Sequence, residues 1–360
     1  MLIDAHIHYA YPADPKKIMR ACSITGASTC CLQSQIMRRS INQNMDCLYA
    51  KAKCDGKIYI NMALNAFFYE HHELMNEMPQ YIKRMIDCGF DGVKMIEGKP
   101  TDHKAFPIPD FDNPLYDATF AYLEEHQIPI TWHVNDPEEF WDAEKVPFWA
   151  KRNGWFYADG TFVNNEDQYA QIERLLDRHP NLVITFAHFY FLSNDLDRLA
   201  RIFDKYPRVA VDITPGVELF TNMSSNIEKA RIFFKKYSNR ILYGTDISVE
   251  MGEVNQLNEI DALTRKALCH DFLTKDHFTL KGDEAGLLGK DDLELFGLAL
   301  DEVDVQKIEA LNFLERYHEI KPLNFDLIKK EIKYHREMLI QSGRDTSYLD
   351  KIEQELWKEE

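Results

Sequence analysis

Eight short runs dense in apolar and β-branched residues punctuate the first 250 positions, and longer stretches with helical spacing separate them. The runs are 2–8 (LIDAHIH), 28–34 (STCCLQS), 57–64 (KIYINMAL), 90–96 (FDGVKMI), 128–134 (IPITWHV), 182–188 (LVITFAH), 209–214 (VAVDIT) and 240–247 (RILYGTDI). Several are near-continuously apolar, as strands covered on both faces should be. Between them, residues 72–88 place Leu74, Met78, Ile82, Met85 and Ile86 at helical spacing ahead of Gly89, a C-cap candidate. Residues 114–126 open with Pro114 after Asn113, 166–178 end at His179-Pro180, and 225–237 follow Ser224. Strand then helix, repeated eight times, predicts an α/β fold whose parallel sheet closes into a (β/α)8 TIM barrel. An open doubly wound sheet is the competing architecture. No G-x-G-x-x-G loop follows any strand, which counts against its dinucleotide-binding form.

The pattern assigns 1–250 to the barrel and 251–360 to a helical extension packed on it. In the extension, 303–318, 323–341 and 346–358 repeat apolar positions at helical spacing. The sequence permits a homodimer contact through these last helices without specifying one. The stretch from Asn135 to about Asn165 is too long for an ordinary connection and reads as an inserted, lid-like loop at about 135–165. It holds Trp141, Trp149 and Trp155, three of the five tryptophans, together with Phe156 and Tyr157. Two readings stand side by side. One is an aromatic wall over the barrel mouth, with Trp141 and Trp155 touching substrate. The other is a subdomain with its own small core and a helix at 138–152.

Composition narrows the partners. A net charge of −17 argues against a nucleic-acid groove, which needs a positive field. Part of that charge sits in the tail, at Glu353, Glu355, Glu359 and Glu360. No apolar run reaches membrane-spanning length and no basic-then-apolar leader opens the chain, so the expectation is a cytoplasmic protein acting on a small molecule. Seven scattered cysteines with no C-x-x-C pair read as reduced, partly buried thiols.

The chemistry gathers at the strand ends. In a barrel of this kind the active site lies at the C-terminal mouth of the strands. The first strand delivers His6 and His8, which share a face because strand side chains alternate. The fifth strand ends in His133, the sixth in His188 and the eighth in Asp246, and Lys94 lies near the end of the fourth. A single strand histidine is more often a satisfied core residue. Five such residues at strand ends make that explanation poor.

The segments Asp4-Ala5-His6-Ile7-His8, Thr131-Trp132-His133, Phe186-Ala187-His188 and Tyr243-Gly244-Thr245-Asp246 resemble the motifs of the amidohydrolase superfamily, in the branch that also holds several non-oxidative decarboxylases. Residues 308–313 (IEALNF) resemble the closing helix of that branch. The resemblance implies that His6, His8, His133 and Asp246 hold one divalent metal, Zn2+ before Mn2+ or Fe2+. It implies that Asp246 takes a proton from the metal-activated water and passes it to the leaving group, while His188 polarises the substrate carbonyl or stabilises an oxyanion. Lys94 has three readings: an ion pair with Glu97 or Asp246, a substrate-carboxylate contact, or a carboxylated bridge to a second metal, the last carrying less weight because the branch is usually mononuclear. Thr214, after the seventh strand, is a substrate-contact candidate.

Three functions compete. The first is hydrolysis of an amide, ester or lactone. The second is non-oxidative decarboxylation or hydration of an aromatic or unsaturated carboxylic acid. The third is a barrel that only binds a ligand. A lyase needs a carboxylate-binding arginine near the metal, with Arg38, Arg39 and Arg152 as candidates, whereas a hydrolase needs room beside Asp246 for a leaving group.

Overall fold

The computed structural model describes residues 1–249, 259–282 and 291–358. All eight predicted strands form: Ile3–Tyr9, Thr29–Gln33, Tyr59–Ala63, Gly92–Gly98, Ile130–Val134, Ile184–Phe186, Val209–Asp212 and the eighth segment, split into Ile241–Leu242 and Ile247–Val249. Each pairs in parallel with its sequence neighbour. The split eighth segment closes the ring, because Ile241–Leu242 pairs with the seventh strand and Ile247–Val249 with the first. Two backbone bonds bridge the split: Ala5 N–H to Tyr243 O at 3.0 Å and Asp246 N–H to His6 O at 2.8 Å. The fold is the (β/α)8 barrel.

The helices fall where spacing placed them. Met78–Cys88 ends at Gly89 (φ 119°), whose N–H caps Ile86 O. Asp117–Glu125, Asn165–Arg178 and Ile227–Lys236 occupy three further predicted segments. The C-terminal chain then packs back on the barrel: Phe325–Gln341 lies against Met78–Cys88, and Ser347–Leu356 against Asn44–Lys53. The region read as mostly helical also contains an antiparallel pair, His277–Leu280 with Leu293–Phe296. Its alternating burial had been invisible among charged residues. Parts of the extension, 251–258 and 283–290, lie outside the described residues.

The N-terminal end of the barrel is sealed. Ala310, Phe313 and Tyr317 pack with Ile3, Cys31, Tyr59, Ala210 and Leu242. Asn61 Nδ2 donates to Tyr317 Oη at 2.7 Å, and Asn312 caps Ser238 O and Ile241 O at 2.7 Å each. With that end closed, the C-terminal mouth is where barrel residues can meet a ligand.

Candidate metal centre

His6, His8 and Asp246 converge at the mouth, with candidate ligand atoms all within 4.8 Å of one another. Asp246 Oδ1 lies 3.2 Å from His8 Nε2 and 3.8 Å from His6 Nε2. A tetrahedral zinc with bonds of about 2.1 Å needs ligands about 3.4 Å apart, so the donor set suits the metal in both kind and spacing.

Each imidazole at the mouth has one nitrogen tied to a fixed acceptor. His6 Nδ1 donates to Asp212 Oδ2 at 2.9 Å, and His8 Nδ1 to Gln33 O at 3.0 Å. His133 Nε2 donates to Asp136 Oδ1 at 3.2 Å, and His188 Nδ1 to Thr214 O at 3.3 Å. A backbone carbonyl or an ionised carboxylate can only accept, so these bonds assign the ring protons and leave the opposite nitrogen with a lone pair. Such partners also fix ring orientation in metal sites. Asp212 does double duty, since its Oδ1 accepts from His188 N at 2.9 Å.

Electrostatics keeps these groups in ligand form. Burial, then the Lys94 ammonium, pushes His6 down to about 4. Burial and neighbouring His133 push His188 down to about 3. Burial alone would raise Asp246, but His8 and the other imidazoles outweigh it and hold the carboxyl well below its ordinary value.

Local backbone strain aims these side chains. Asp246 has φ 57° and Asn135 φ 71°, and His188, Phe189, Tyr190 and Phe191 form a run of left-handed residues with φ 53°, 56°, 58° and 52°. Such residues cost about 1–2 kcal/mol each unless the surroundings hold them. Here Tyr190 stacks on Phe186 with centroids 3.9 Å apart, and Phe189 on Phe234 at 5.5 Å. At Asp246 the holding groups are Asp4, which accepts from Thr245 N and Oγ1, and Arg265, which donates to Thr245 O at 3.1 Å. Gly244 is required by close approach: a Cβ there would meet His6 Cβ and Thr214 Cγ2 at 3.0 Å.

Not every expected residue joins the cluster. His133 stands outside the close trio and packs against His188 (centroids 4.9 Å) and Phe191 (5.3 Å), its Nε2 drawn toward the insert by Asp136. Lys94 is not paired with Glu97, whose carboxylate takes the Tyr69 hydroxyl instead. Its ammonium donates to His6 Nε2 at 2.9 Å, and burial pushes it down to about 8 against the pull of Asp212 and Asp246. Thr214 is fully buried behind Asp212 and serves as scaffold. Trp141 and Trp155 pack in the insert's own small core with Phe140, Val146, Ala150 and Tyr157. That core is built on Glu138–Trp141 and the short helix Phe148–Arg152. The oxyanion role expected of His188 needs a proton on Nε2, and the bond to Thr214 O puts it on Nδ1.

Sequence reasoning placed Asp136 in the inserted loop without a role and passed over Asp212, Lys99 and Arg265. An acidic residue interrupting the apolar run VAVDIT was a signal for Asp212. Arg265 comes from the helix Glu259–Lys266, beyond the barrel, and lies 3.7 Å from Asp246 Oδ2.

A closed parallel barrel with two imidazoles and a carboxylate meeting at its C-terminal mouth is the build of a metal-dependent barrel enzyme. A model of the amidohydrolase family matches residues 70–312, more than half of the chain, and the chain belongs to that family. No curated protein sequence matches it. Among solved structures, an amidohydrolase II is 15% identical with a TM-score of 0.52 over 89% of this chain and 100% of the other. A 2,6-dihydroxybenzoate decarboxylase bound to 2,6-dihydroxybenzoate is 13% identical, with a TM-score of 0.51 over 88% and 99%. A lactonase from Listeria monocytogenes is 13% identical, with a TM-score of 0.51 over 89% and 95%. At these identities the likeness is one of fold. Among the described residues no helix is long and apolar enough to cross a membrane.

Proposed function

We propose that this protein is a metal-dependent hydrolase that adds water across an amide, ester or lactone of a small molecule. His6, His8 and Asp246 would hold one divalent ion, Zn2+ before Mn2+ or Fe2+, with His133 completing the set from across the mouth. Bound there, the ion would supply Lewis acidity and make water acidic enough to act near neutral pH.

The chain's own groups do the rest. Asp246 is ionised; its Oδ1 faces His8 Nε2 and its Oδ2 lies 3.7 Å from Arg265 Nη1, and Oδ2 would be the oxygen that takes a proton from water and returns it to the leaving atom. His188 is neutral and presents the Nε2 lone pair, which suits accepting a hydrogen bond or a ligand bond. It lines a shallow depression with Phe191, Glu138, Glu139, Ser193, Asn194, Glu218 and Asn222.

What favours hydrolysis over the lyase reading is the placing of the arginines. Arg38, Arg39 and Arg152 are all exposed. Arg265 is close to Asp246 but already committed to Asp261 and Thr245 O. The depression beside His188 carries carboxylates rather than cations, a poor seat for a carboxylic acid substrate.

The test is a paired screen of metal-loaded protein against lactones, esters and amides on one side and aromatic or unsaturated carboxylic acids on the other. Hydrolysis in the first set supports the reading; decarboxylation or hydration in the second with none in the first overturns it. For the substrate found, Asp246→Asn is expected to lower turnover by about 10²–10⁴-fold. Retained turnover would remove Asp246 from its role.

A further inference from the structure

One buried chain of hydrogen bonds joins the aromatic insert to the metal centre. Tyr157 sits in the insert's core and donates its hydroxyl to Asp136 Oδ2 at 2.6 Å. Asp136 Oδ1 accepts from His133 Nε2 and from Lys99 Nζ, both at 3.2 Å. Lys99 lies over the ring of Trp155, 4.7 Å from its centroid, so a second insert residue braces the same carboxylate. His133, Asp136 and Tyr157 are 5%, 4% and 1% exposed, which leaves little room for water to substitute for any of these bonds.

The local chain explains half of this. Asn135 takes a left-handed conformation (φ 71°) directly after the fifth strand and turns Asp136 back toward the imidazole three residues behind it. The other half comes from the insert. Without the Tyr157 hydroxyl, Oδ2 would keep only a long 3.5 Å contact with Lys99 Nζ, a costly under-satisfaction for a buried carboxylate that the side chain could relieve by turning away from His133. Held by Lys99 and Tyr157, the Asp136 carboxylate accepts from His133 Nε2 and leaves the Nδ1 lone pair free.

We infer that Asp136 and Tyr157 are positioning residues for His133, which makes the insert a working part of the metal centre rather than a cover laid over it. The inference rests on the proposed metal role of His133. It gives the long aromatic loop a purpose that neither the wall reading nor the separate-subdomain reading contains: the small core exists to hold one hydroxyl against one carboxylate.

The test uses the full chain, stripped of metal and titrated with Co2+ alone, followed by visible absorption, which reports ligand type and geometry. Tyr157→Phe and Asp136→Asn are each expected to bind Co2+ about tenfold more weakly and with an altered spectrum, at a melting temperature near that of the parent. Phe148→Ala, at an insert position 81% exposed, is expected to leave both affinity and spectrum unchanged. Should Tyr157→Phe fail to fold, the isosteric Asp136→Asn is read in the same way. Parent protein that binds no Co2+ removes the metal reading and this inference with it. Parent that binds Co2+, with folded Tyr157→Phe and Asp136→Asn showing parental affinity and spectrum, overturns the inference alone.

Discussion

The two ends of this barrel treat polar groups in opposite ways. At the closed end they satisfy one another. Lys51 and Asp91 are both fully buried and 2.8 Å apart; Lys51 also reaches Gly89 O, and Asp91 accepts from Ile60 N and Lys321 N. At the mouth each imidazole has one nitrogen tied to a fixed acceptor and turns the lone pair of the other inward, that of His6 toward the Lys94 ammonium, and the left-handed residues Asp246 and His188 cluster among them. At the closed end the buried charges are thus used up on one another, and there is no ligand to meet. The mouth has been built with capacity to spare. Substitutions at the first should register in stability and at the second in binding.

The sharpest break of that contrast is Asp91→Ala. It strands the Lys51 ammonium in the interior with one carbonyl for company, and removing one partner of a buried pair costs about 3–5 kcal/mol. Denaturant unfolding is expected to show that loss, while the fraction still folded binds Co2+ with parental affinity. A large drop in affinity of the folded fraction would mean that the two ends are coupled.

Near the rim, Asp46 is a buried carboxylate for which the structure offers the Tyr11 N–H at 3.3 Å and no ion pair among the described residues. Burial raises it from 3.8 to about 7 against the pull of that bond. A raised carboxyl keeps its proton in the folded chain after the unfolded chain has lost it. Its contribution to stability is therefore complete below about pH 4 and is lost as pH rises toward 7. Asp46→Asn abolishes this dependence. Relative to the parent, its melting temperature is expected to gain a few degrees between pH 4 and pH 8. A constant difference across that range would place the Asp46 carboxyl at its ordinary value.

The legibility of the chain follows the same division. Barrel strands are covered on both faces, so their apolar runs stand out, and all eight were found. The residues that close those runs, His6, His8, His188 and Asp246, were readable because polar groups at the ends of apolar strands are conspicuous. Their partners were not. Gln33 acts through its backbone carbonyl, which no side chain signals, and Asp136 and Arg265 look like ordinary loop and helix charges until the fold brings them in. Trp141 and Trp155 mark a different limit: an aromatic residue in a long loop announces burial without saying against what, which is why the wall and small-core readings stood side by side.

Asp212→Asn gives the finest cut through the contrast, because it changes one atom at the boundary between scaffold and site. The carboxylate serves His6 Nδ1 with one oxygen, and His188 N and the Thr214 hydroxyl and N–H with the other. An amide has one acceptor, so it must fail one side. If its oxygen keeps the Thr214 and His188 donors, the amide NH2 confronts His6 Nδ1–H and the ring loses the tie that fixes its tautomer. Affinity for Co2+ is then expected to fall about tenfold, about 1.4 kcal/mol, with little change in melting temperature. If instead the oxygen keeps His6, the left-handed turn at His188 loses its anchor, and stability falls while affinity holds. Measuring both quantities on the one variant decides which duty of Asp212 dominates. Parental values for both would show that neither bond matters and that strand packing alone holds His6 and His188 in place.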